Sequence, residues 1–271
     1  MNKLFLTLAI GAAIPVQAAV FTASGAGPGD IQNAVDNFRS ALGTNNGVGG
    51  SFGSGRREIN WDGDADAFAS PNAFPGNFFN SNSPRGATFA TPGDGFQVSA
   101  NAASGTPIEF ANIDASYSGQ FQTFSAERLF TPIGSKDTQI VFFVPGTNIP
   151  ASVAGFGVVF TDVEATSQTI YTVFYGDGAN GGQFAVPVSS SGGLSFLGLT
   201  DTRRYSRIII QTGTNALGAG VVEDVGRTAV DLVAMDDFIY GEPLAINGVP
   251  EPGSLLLTLG GVAALFFYRR K

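Results

Sequence analysis

The chain has no cysteine and no histidine among its 271 residues. Their absence excludes thiolate nucleophiles, imidazole general bases, Ser-His-Asp triads and zinc sites with Cys or His ligands. Charged residues are also scarce, because they make up 13% of the chain against about 25% in an ordinary soluble domain. Any catalysis would have to use carboxylates, Tyr, Lys or Arg, and the sequence shows no catalytic constellation of these.

Glycine and phenylalanine are abundant instead, with 37 and 24 residues. This mixture is typical of short strands joined by tight turns. Hydrophobic residues make up 44% of the chain, which is enough for one large β domain of about 200 residues with additional terminal segments.

The N-terminus has the three parts of a secretory signal peptide in the usual order. Lys3 supplies the positive charge, the apolar run from Leu4 to Ile14 follows, and Val16 and Ala18 are small residues at the positions that a signal peptidase reads. We expect residues 1–18 to be a signal peptide cleaved after Ala18. The alternative interpretation is a short buried helix.

The C-terminus carries a second apolar segment, from Leu255 to Tyr268. As a helix it would span about 21 Å, less than the hydrocarbon core of about 30 Å. Pro250 and Pro252 would prevent a helix before it and leave an extended, accessible segment. A basic cluster that favours the cytoplasmic side follows the apolar segment, at Arg269, Arg270 and Lys271.

Residues 249–271 resemble the PEP-CTERM sorting signal of Gram-negative bacteria, with the motif at Pro250-Glu251-Pro252, a short apolar helix and a basic tail. The resemblance implies transient insertion in the inner membrane and recognition by an exosortase, with Glu251 as a recognition residue of the substrate. It also implies removal of the tail and release to the cell surface or extracellular matrix. An ordinary C-terminal membrane anchor is the alternative.

Processing at both ends would change the charge of the protein. It would remove four of the 14 basic residues and one of the 22 acidic ones, so the mature body would carry a net charge of about −11. Such a body is a poor partner for nucleic acid or for anionic membrane surfaces. Neutral polymers or calcium are more suitable partners.

Residues 19–55 are expected to form one short amphipathic helix and a flexible Gly/Asn-rich connection from Gly43 to Gly55. Asp30 is the expected N-cap, and Gly43 is the expected end of the helix. Apolar residues recur at helical spacing between them, at Ile31, Ala34, Val35, Phe38 and Leu42.

Residues 56–245 are expected to form an antiparallel β-sandwich, jelly-roll-like in topology. Turn residues separate short runs rich in Val, Ile and Phe, and the segment from Thr169 to Val188 is expected to be a hairpin around Asp177-Gly178. The expected strands are "QIVFFVPG" from Gln139, "AGFGVVFTDVE" from Ala154, "QTIYTVFYGDG" from Gln168, "GQFAVPV" from Gly182, "LSFLGL" from Leu194, "YSRIIIQTG" from Tyr205 and "AVDLVAMDDFIYGE" from Ala229.

Several segments of this body, including "REINWDG", "GFGVVFTDVE" and "VAMDDFIYGE", resemble a group of exported bacterial PEP-CTERM proteins with a common β-rich body. The resemblance covers roughly residues 57–242. It implies the architecture and export of the chain, but no activity.

Alternating aspartates after Trp61, at Asp62, Asp64 and Asp66, are candidate calcium ligands, and Asp237 is a separate candidate ligand of a structural calcium. They do not form an EF-hand, because Ala67 and Ala73 occupy the positions of the required Gly and Glu. A solvated acidic loop is the alternative interpretation, and no other cofactor is indicated.

Two further carboxylate pairs lie within predicted strands. On a strand Asp162 and Glu164 would point to the same face, whereas Asp236 and Asp237 would point to opposite faces. Two acids on one face are within reach of a metal ion or a sugar, although a glycosidase pair requires a separation of about 5–9.5 Å that spacing cannot establish.

Trp61 is the candidate for stacking against a carbohydrate, together with four tyrosines, at Tyr117, Tyr171, Tyr175 and Tyr205. Packing in the core is the alternative for all five rings.

Two functions follow as hypotheses. The favoured one is an exported, non-catalytic surface or matrix protein that binds carbohydrate, such as an exopolysaccharide. The rival is a carboxylate-dependent enzyme that cleaves polysaccharides on the same β-sandwich scaffold, for which the sequence assigns no catalytic residue.

Overall fold

The computed structural model of the protein describes residues 18–224 and 229–246. The predicted signal segment before Ala18 lies outside the described residues. So do the sorting motif Pro250-Glu251-Pro252, the apolar segment after it and the basic residues Arg269, Arg270 and Lys271. No helix within the described ranges is long and apolar enough to cross a membrane.

The described chain is mainly β and forms one open antiparallel sheet of twelve strands. The strands are β1 (Ala19–Gly25), β2 (Arg56–Ile59), β3 (Ala87–Ala90), β4 (Gly95–Val98), β5 (Phe130–Ile133), β6 (Asp137–Phe143), β7 (Pro150–Thr161), β8 (Ile170–Tyr175), β9 (Asn180–Ala185), β10 (Leu194–Gln211), β11 (Ala234–Gly241) and β12 (Leu244–Ala245).

The sequence predicted β structure throughout the body, and the structure departs from this prediction in two connections. The connections 60–86 and 99–129 contain three short 3-10 turns and one turn of α-helix, α2 (Phe78–Ser81). Their glycines, prolines and asparagines favour turns and interrupt the alternation that a strand needs.

The predicted amphipathic helix is confirmed as α1 (Pro28–Leu42). The predicted N-cap at Asp30 is wrong, because Pro28 is suited to the first helical position and starts the helix earlier, with Gly27 as the cap. Asp30 instead accepts a hydrogen bond from the Gly27 amide at 3.0 Å. The helix ends at Gly43, whose φ of 94° is easy only for glycine.

The helix packs on the sheet through its apolar side. Its buried residues Ile31, Val35, Phe38 and Leu42 contact side chains of β7, β10 and β11, among them Val159, Leu194, Phe196 and Ile239.

Strand β1 is absent from the sequence-based prediction for residues 19–55. It pairs with β10 from Ala19 opposite Thr200 to Gly25 opposite Leu194. Its partly buried Phe21 and Ala23 pack against the α1 cluster. The strand has small residues and few β-branched ones, so its propensity signal is weak, and pairing with β10 stabilises it.

Strand β10 is a single strand of 18 residues where two were predicted. Its first half pairs with β1 and β7, and its second half pairs with β6 and β8. The predicted β8–β9 hairpin is confirmed, with Gly178 in its turn at a φ of 82°.

Most of the core is a single cluster of side chains from β6, β7, β8, β10 and β11. Trp61 lies in its aromatic part, stacked on Phe130 with ring centroids 4.2 Å apart. Phe74, Phe79 and Phe238 meet the same indole edge-on, at centroid distances of 5.3–5.7 Å. These arrangements suit the quadrupoles of aromatic rings and add to the stabilisation from burial.

The connection from Gly43 to Gly55, predicted to be flexible, lies between α1 and β2, and a buried ion pair anchors it. The Arg57 guanidinium donates to both carboxylate oxygens of Glu242, at 2.6 and 2.7 Å. Its remaining N–H groups donate to carbonyl oxygens of the connection, those of Gly47, Gly49 and Gly50. All five donors of the arginine therefore have acceptors.

We expect Glu242→Gln to lower the free energy of unfolding by about 3–5 kcal/mol, because it leaves the charge of Arg57 buried without its counter-ion. Urea unfolding of the mature protein measures this. Arg203→Gln is the control, since it breaks an exposed pair with Asp177 and should change stability little. Equal effects of the two substitutions would contradict the anchoring role of the buried pair.

Candidate functional site

A polar cavity of about 430 Å³ lies beside α1, β2 and β11. We call it the α1–β11 pocket. Its lining comprises Gln32, Arg39, Asn45, Glu58, Asn60, Arg85, Phe124, Ser125 and Asp237. Three amides, two arginines, two carboxylates, a hydroxyl and one aromatic ring therefore meet in one place.

A bulge in β11 brings Asp237 to this pocket. Met235 pairs with Phe160 and Phe238 pairs with Val158, so Asp236 and Asp237 together lie opposite one residue of β7. Met235 and Phe238 both point into the core, so the two aspartates between them share the side that faces α1. The prediction that the adjacent aspartates face opposite sides is therefore wrong.

The two aspartates meet the Ser125 hydroxyl. Its Oγ lies 2.7 Å from Asp237 Oδ1 and 3.3 Å from Asp236 Oδ1. Asp62 Oδ2 is also near, at 3.1 Å from the same oxygen. A hydroxyl has one hydrogen to donate, so it cannot satisfy three carboxylates at once.

Asp236 is fully buried, and its Oδ2 accepts hydrogen bonds from the amides of Phe124 and Ser125. Burial and the neighbouring charge of Asp237 raise the pKa of Asp236 well above its ordinary value. Burial also raises the pKa of Asp237, against the opposing effects of Ser125 and Arg39. The pair therefore retains a proton at a pH at which isolated carboxyl groups have lost theirs.

Arg39 of α1 connects the acidic side chains of the pocket. Its Nη2 donates to Glu58 Oε2 at 2.9 Å and to Asp237 Oδ2 at 3.1 Å. Glu58 has a second partner, because Arg56 Nε donates to its Oε1 at 2.6 Å. These contacts fix the last turns of α1 against β2 and β11 and orient both carboxylates.

Other polar groups in the pocket are available to a ligand. The side-chain amide of Asn60 is exposed and makes no hydrogen bond within the described part of the chain. Gln32 is exposed, and among the described residues its side-chain amide donates to Asp36 of its own helix and to no other group. Phe124 adds an apolar surface beside them. The pocket is therefore lined mainly by hydrogen-bonding groups, with a single aromatic ring among them.

The structure does not gather Asp62, Asp64 and Asp66 around one point. Asp62 accepts from the Arg128 amide at 3.0 Å, and Asp66 accepts from the Arg128 guanidinium at 2.6 Å. Burial raises the pKa of Asp64 to about 6, and its Oδ2 has no partner. Within the two described ranges no group of three or more acidic side chains could hold a metal ion. The three alternating aspartates therefore do not converge on one position that an ion could occupy.

Trp61 is unavailable to a carbohydrate, contrary to the prediction. Its side chain is 1% exposed, and its indole N–H donates to the Asp236 carbonyl at 2.8 Å. The tyrosines offer no better platform. Tyr117, Tyr171 and Tyr205 are buried, and the ring of Tyr175 lies between the Arg203 guanidinium at 3.8 Å and the stacked ring of Tyr205 at 5.8 Å.

A second group of acids lies where β7 ends. Asp162 follows the strand with a φ of 70°, so it and Glu164 do not lie on a strand as predicted. Gln120 Nε2 donates to Asp162 Oδ2 at 2.7 Å and to Glu223 Oε2 at 3.0 Å. Burial raises the pKa of Asp162 to about 6 and that of Glu223 to about 8. Sequence reasoning missed Glu223, because the fold brings it to Asp162 from a distant segment.

Comparison of the chain with protein-family profiles, with curated proteins and with solved structures finds no match.

The raised pKa of Glu223 predicts a pH dependence of stability. In the unfolded chain Glu223 loses its proton at about pH 4.3, whereas in the folded protein its pKa is about 8. The contribution of this group to stability is therefore present at low pH and is lost as the pH rises through the pKa of the folded state. We expect Glu223→Gln to reduce the fall in the free energy of unfolding between about pH 5 and about pH 8.

Urea unfolding at the two pH values measures this difference. Glu127→Gln, the same change at an exposed glutamate, is the matched control. An unchanged pH slope in Glu223→Gln would show that Glu223 does not hold this proton.

Proposed function

We propose that the chain is an exported, non-catalytic surface or matrix protein that is processed by signal peptidase and sorted by an exosortase. The boundaries of the fold support this proposal. β1 begins at Ala19, one residue after the predicted cleavage site, and β12 ends at Ala245, before the predicted sorting signal at 249–271. Both cleavages would therefore leave every described strand and helix intact.

We further propose that the body is a jelly-roll-like β-sandwich. The change of partners along β10 supports this topology, since its two halves belong to different sets of neighbouring strands. Side chains from β7 and β11 also pack with side chains from β6 and β8 in one cluster. Two layers that face each other across a common core account for both observations.

The ligand that we propose is a sugar unit of an exopolysaccharide, bound in the α1–β11 pocket. The observation that carries this proposal is the composition of the pocket: amides of Gln32, Asn45 and Asn60 surround a carboxylate–arginine network and one aromatic ring. Hydroxyl groups of a sugar both donate and accept hydrogen bonds, and amides and carboxylates offer both kinds of partner. The volume falls within the range of about 300–1,000 Å³ that is usual for small-ligand sites.

The rival function, cleavage of a polysaccharide, has one observation in its favour. Glu58 and Asp237 converge in the pocket, since both accept hydrogen bonds from Arg39 Nη2. Retaining and inverting glycosidases use two carboxyl groups separated by about 5–9.5 Å. Arg39, however, lies between these two carboxylates, where the bond to be cleaved would have to lie. The geometry therefore favours binding over catalysis.

Export and sorting predict a defined mature product. We expect the protein isolated from its native cell to begin at Ala19 and to lack the sorting tail, as measured by intact mass and N-terminal sequencing. Glu251→Ala should leave the tail attached, whereas the neighbouring control Ser254→Ala should not. Recovery of the intact chain from the cytosol, with both ends still attached, would contradict the proposal.

Binding in the α1–β11 pocket predicts a specific effect of Asn60. We expect the mature protein to be retained by exopolysaccharide in a pull-down assay, and Asn60→Ala to weaken binding several-fold through the loss of hydrogen bonds. Asn33→Ala is the control, on the exposed side of α1.

Two other results would contradict the proposal that the protein binds carbohydrate without cleaving it. Release of reducing ends by the wild-type protein, abolished in Asp237→Asn, would favour the enzyme. Failure to bind any exopolysaccharide would remove the binding function.

A further inference from the structure

Arg85 contributes to the α1–β11 pocket a positive charge that makes no direct ion pair among the described residues. Its guanidinium makes one side-chain hydrogen bond, to the Ser83 hydroxyl, and packs over the Phe79 ring at 5.2 Å. Within the described residues it forms no ion pair with a carboxylate. Most of its five N–H donors therefore lack a protein acceptor.

The acids of the pocket do not compensate this charge, because they already have partners. Glu58 is held by Arg39 and Arg56, at 2.9 and 2.6 Å. Asp237 is held by Arg39 and the Ser125 hydroxyl, at 3.1 and 2.7 Å.

Arg85 is half-buried, so its charge is partly removed from water. Burial lowers the pKa of Arg85, yet an arginine remains protonated in proteins. Partial removal of a cation from water is unfavourable. The charge of Asp64 partly offsets this cost from a distance, but no carboxylate among the described residues pairs directly with the guanidinium. An anionic ligand in direct contact would relieve the remaining cost. Carboxylate matches the planar fork of a guanidinium and can accept two parallel hydrogen bonds from it.

We propose that the α1–β11 pocket is specific for a sugar that carries a carboxylate, a uronic acid, and that Arg85 is the partner of that carboxylate. The exposed amides of Gln32 and Asn60 would serve the hydroxyl groups of the ring. This inference rests on the proposed carbohydrate-binding function and adds the class of sugar.

The negative charge of the body determines how the inference is tested. A mature body of about −11 repels a long polyanion at low ionic strength, whereas a single uronate is attracted locally by Arg85. Monosaccharides are therefore the appropriate probes, at about 0.15 M salt, where the Debye length is about 8 Å.

The experiment titrates the mature protein with matched acidic and neutral sugars: glucuronate and glucose, galacturonate and galactose, mannuronate and mannose. We expect at least one uronate to bind about tenfold more tightly than its neutral counterpart, the effect of a charged hydrogen-bonded pair. Arg85→Gln should bring that ratio to within about twofold while retaining the weak binding of the neutral sugar, and Arg85→Lys should retain part of the preference.

Arg207→Gln is the control, because Arg207 also lacks a carboxylate partner among the described residues but lies on β10 outside the pocket. Unchanged thermal unfolding of each variant establishes that it is folded.

Equal binding of acidic and neutral sugars, or a uronate preference that survives Arg85→Gln, overturns the role of Arg85 and leaves carbohydrate binding intact. Absence of binding to all six sugars overturns both the inference and the proposed pocket.

Discussion

The bulge in β11 is the constraint on which the candidate site depends. In a regular strand Asp237 would point into an aromatic core, where an unpaired carboxylate is strongly unfavourable. The extra residue turns it to the side of α1, where Arg39 and Ser125 are within hydrogen-bond distance. Arg39 then also holds Glu58 of β2, so one irregularity in pairing fixes the helix, two strands and the wall of the pocket.

Buried and half-buried charged groups anchor irregular connections of the body and line the proposed binding pocket. Arg57 has acceptors for all its donors, and they hold a glycine-rich connection that has little packing of its own. Arg128 similarly joins Asp66 to the backbone at Ser99. Arg85 differs from these two, because it is half-buried at a cavity and makes no direct ion pair with an acid within the described ranges. That contrast separates an arginine that stabilises the fold from one available to a ligand.

The sequence predicted those parts of the fold that local pattern determines. The 3.6-residue period located α1, and runs of Val, Ile and Phe located β6 to β11. The sequence-based prediction failed where the pairing partners of a strand determine its existence or length. β1 has weak propensity of its own, and the continuity of β10 depends on the strands on either side of it. The orientation of Asp237 could not be predicted either, because a bulge is a property of two strands. Of the candidate site, the sequence analysis singled out Asp237 alone, as a calcium ligand, because Arg39, Glu58 and Arg85 meet only in the folded chain.

The central claim is that the α1–β11 pocket is the binding site of an exported β body. A map of backbone amide chemical shifts, recorded at about 0.15 M salt as a uronate monosaccharide is added to the isotopically labelled mature protein, tests it most directly. The account predicts that the shifts are confined to the lining of the pocket: Gln32, Arg39, Asn45, residues 58–60, Arg85, residues 124–125 and Asp237. Shifts centred elsewhere, for example on the cavity beside Tyr175 and Arg203, or no shifts at saturating sugar, would contradict it.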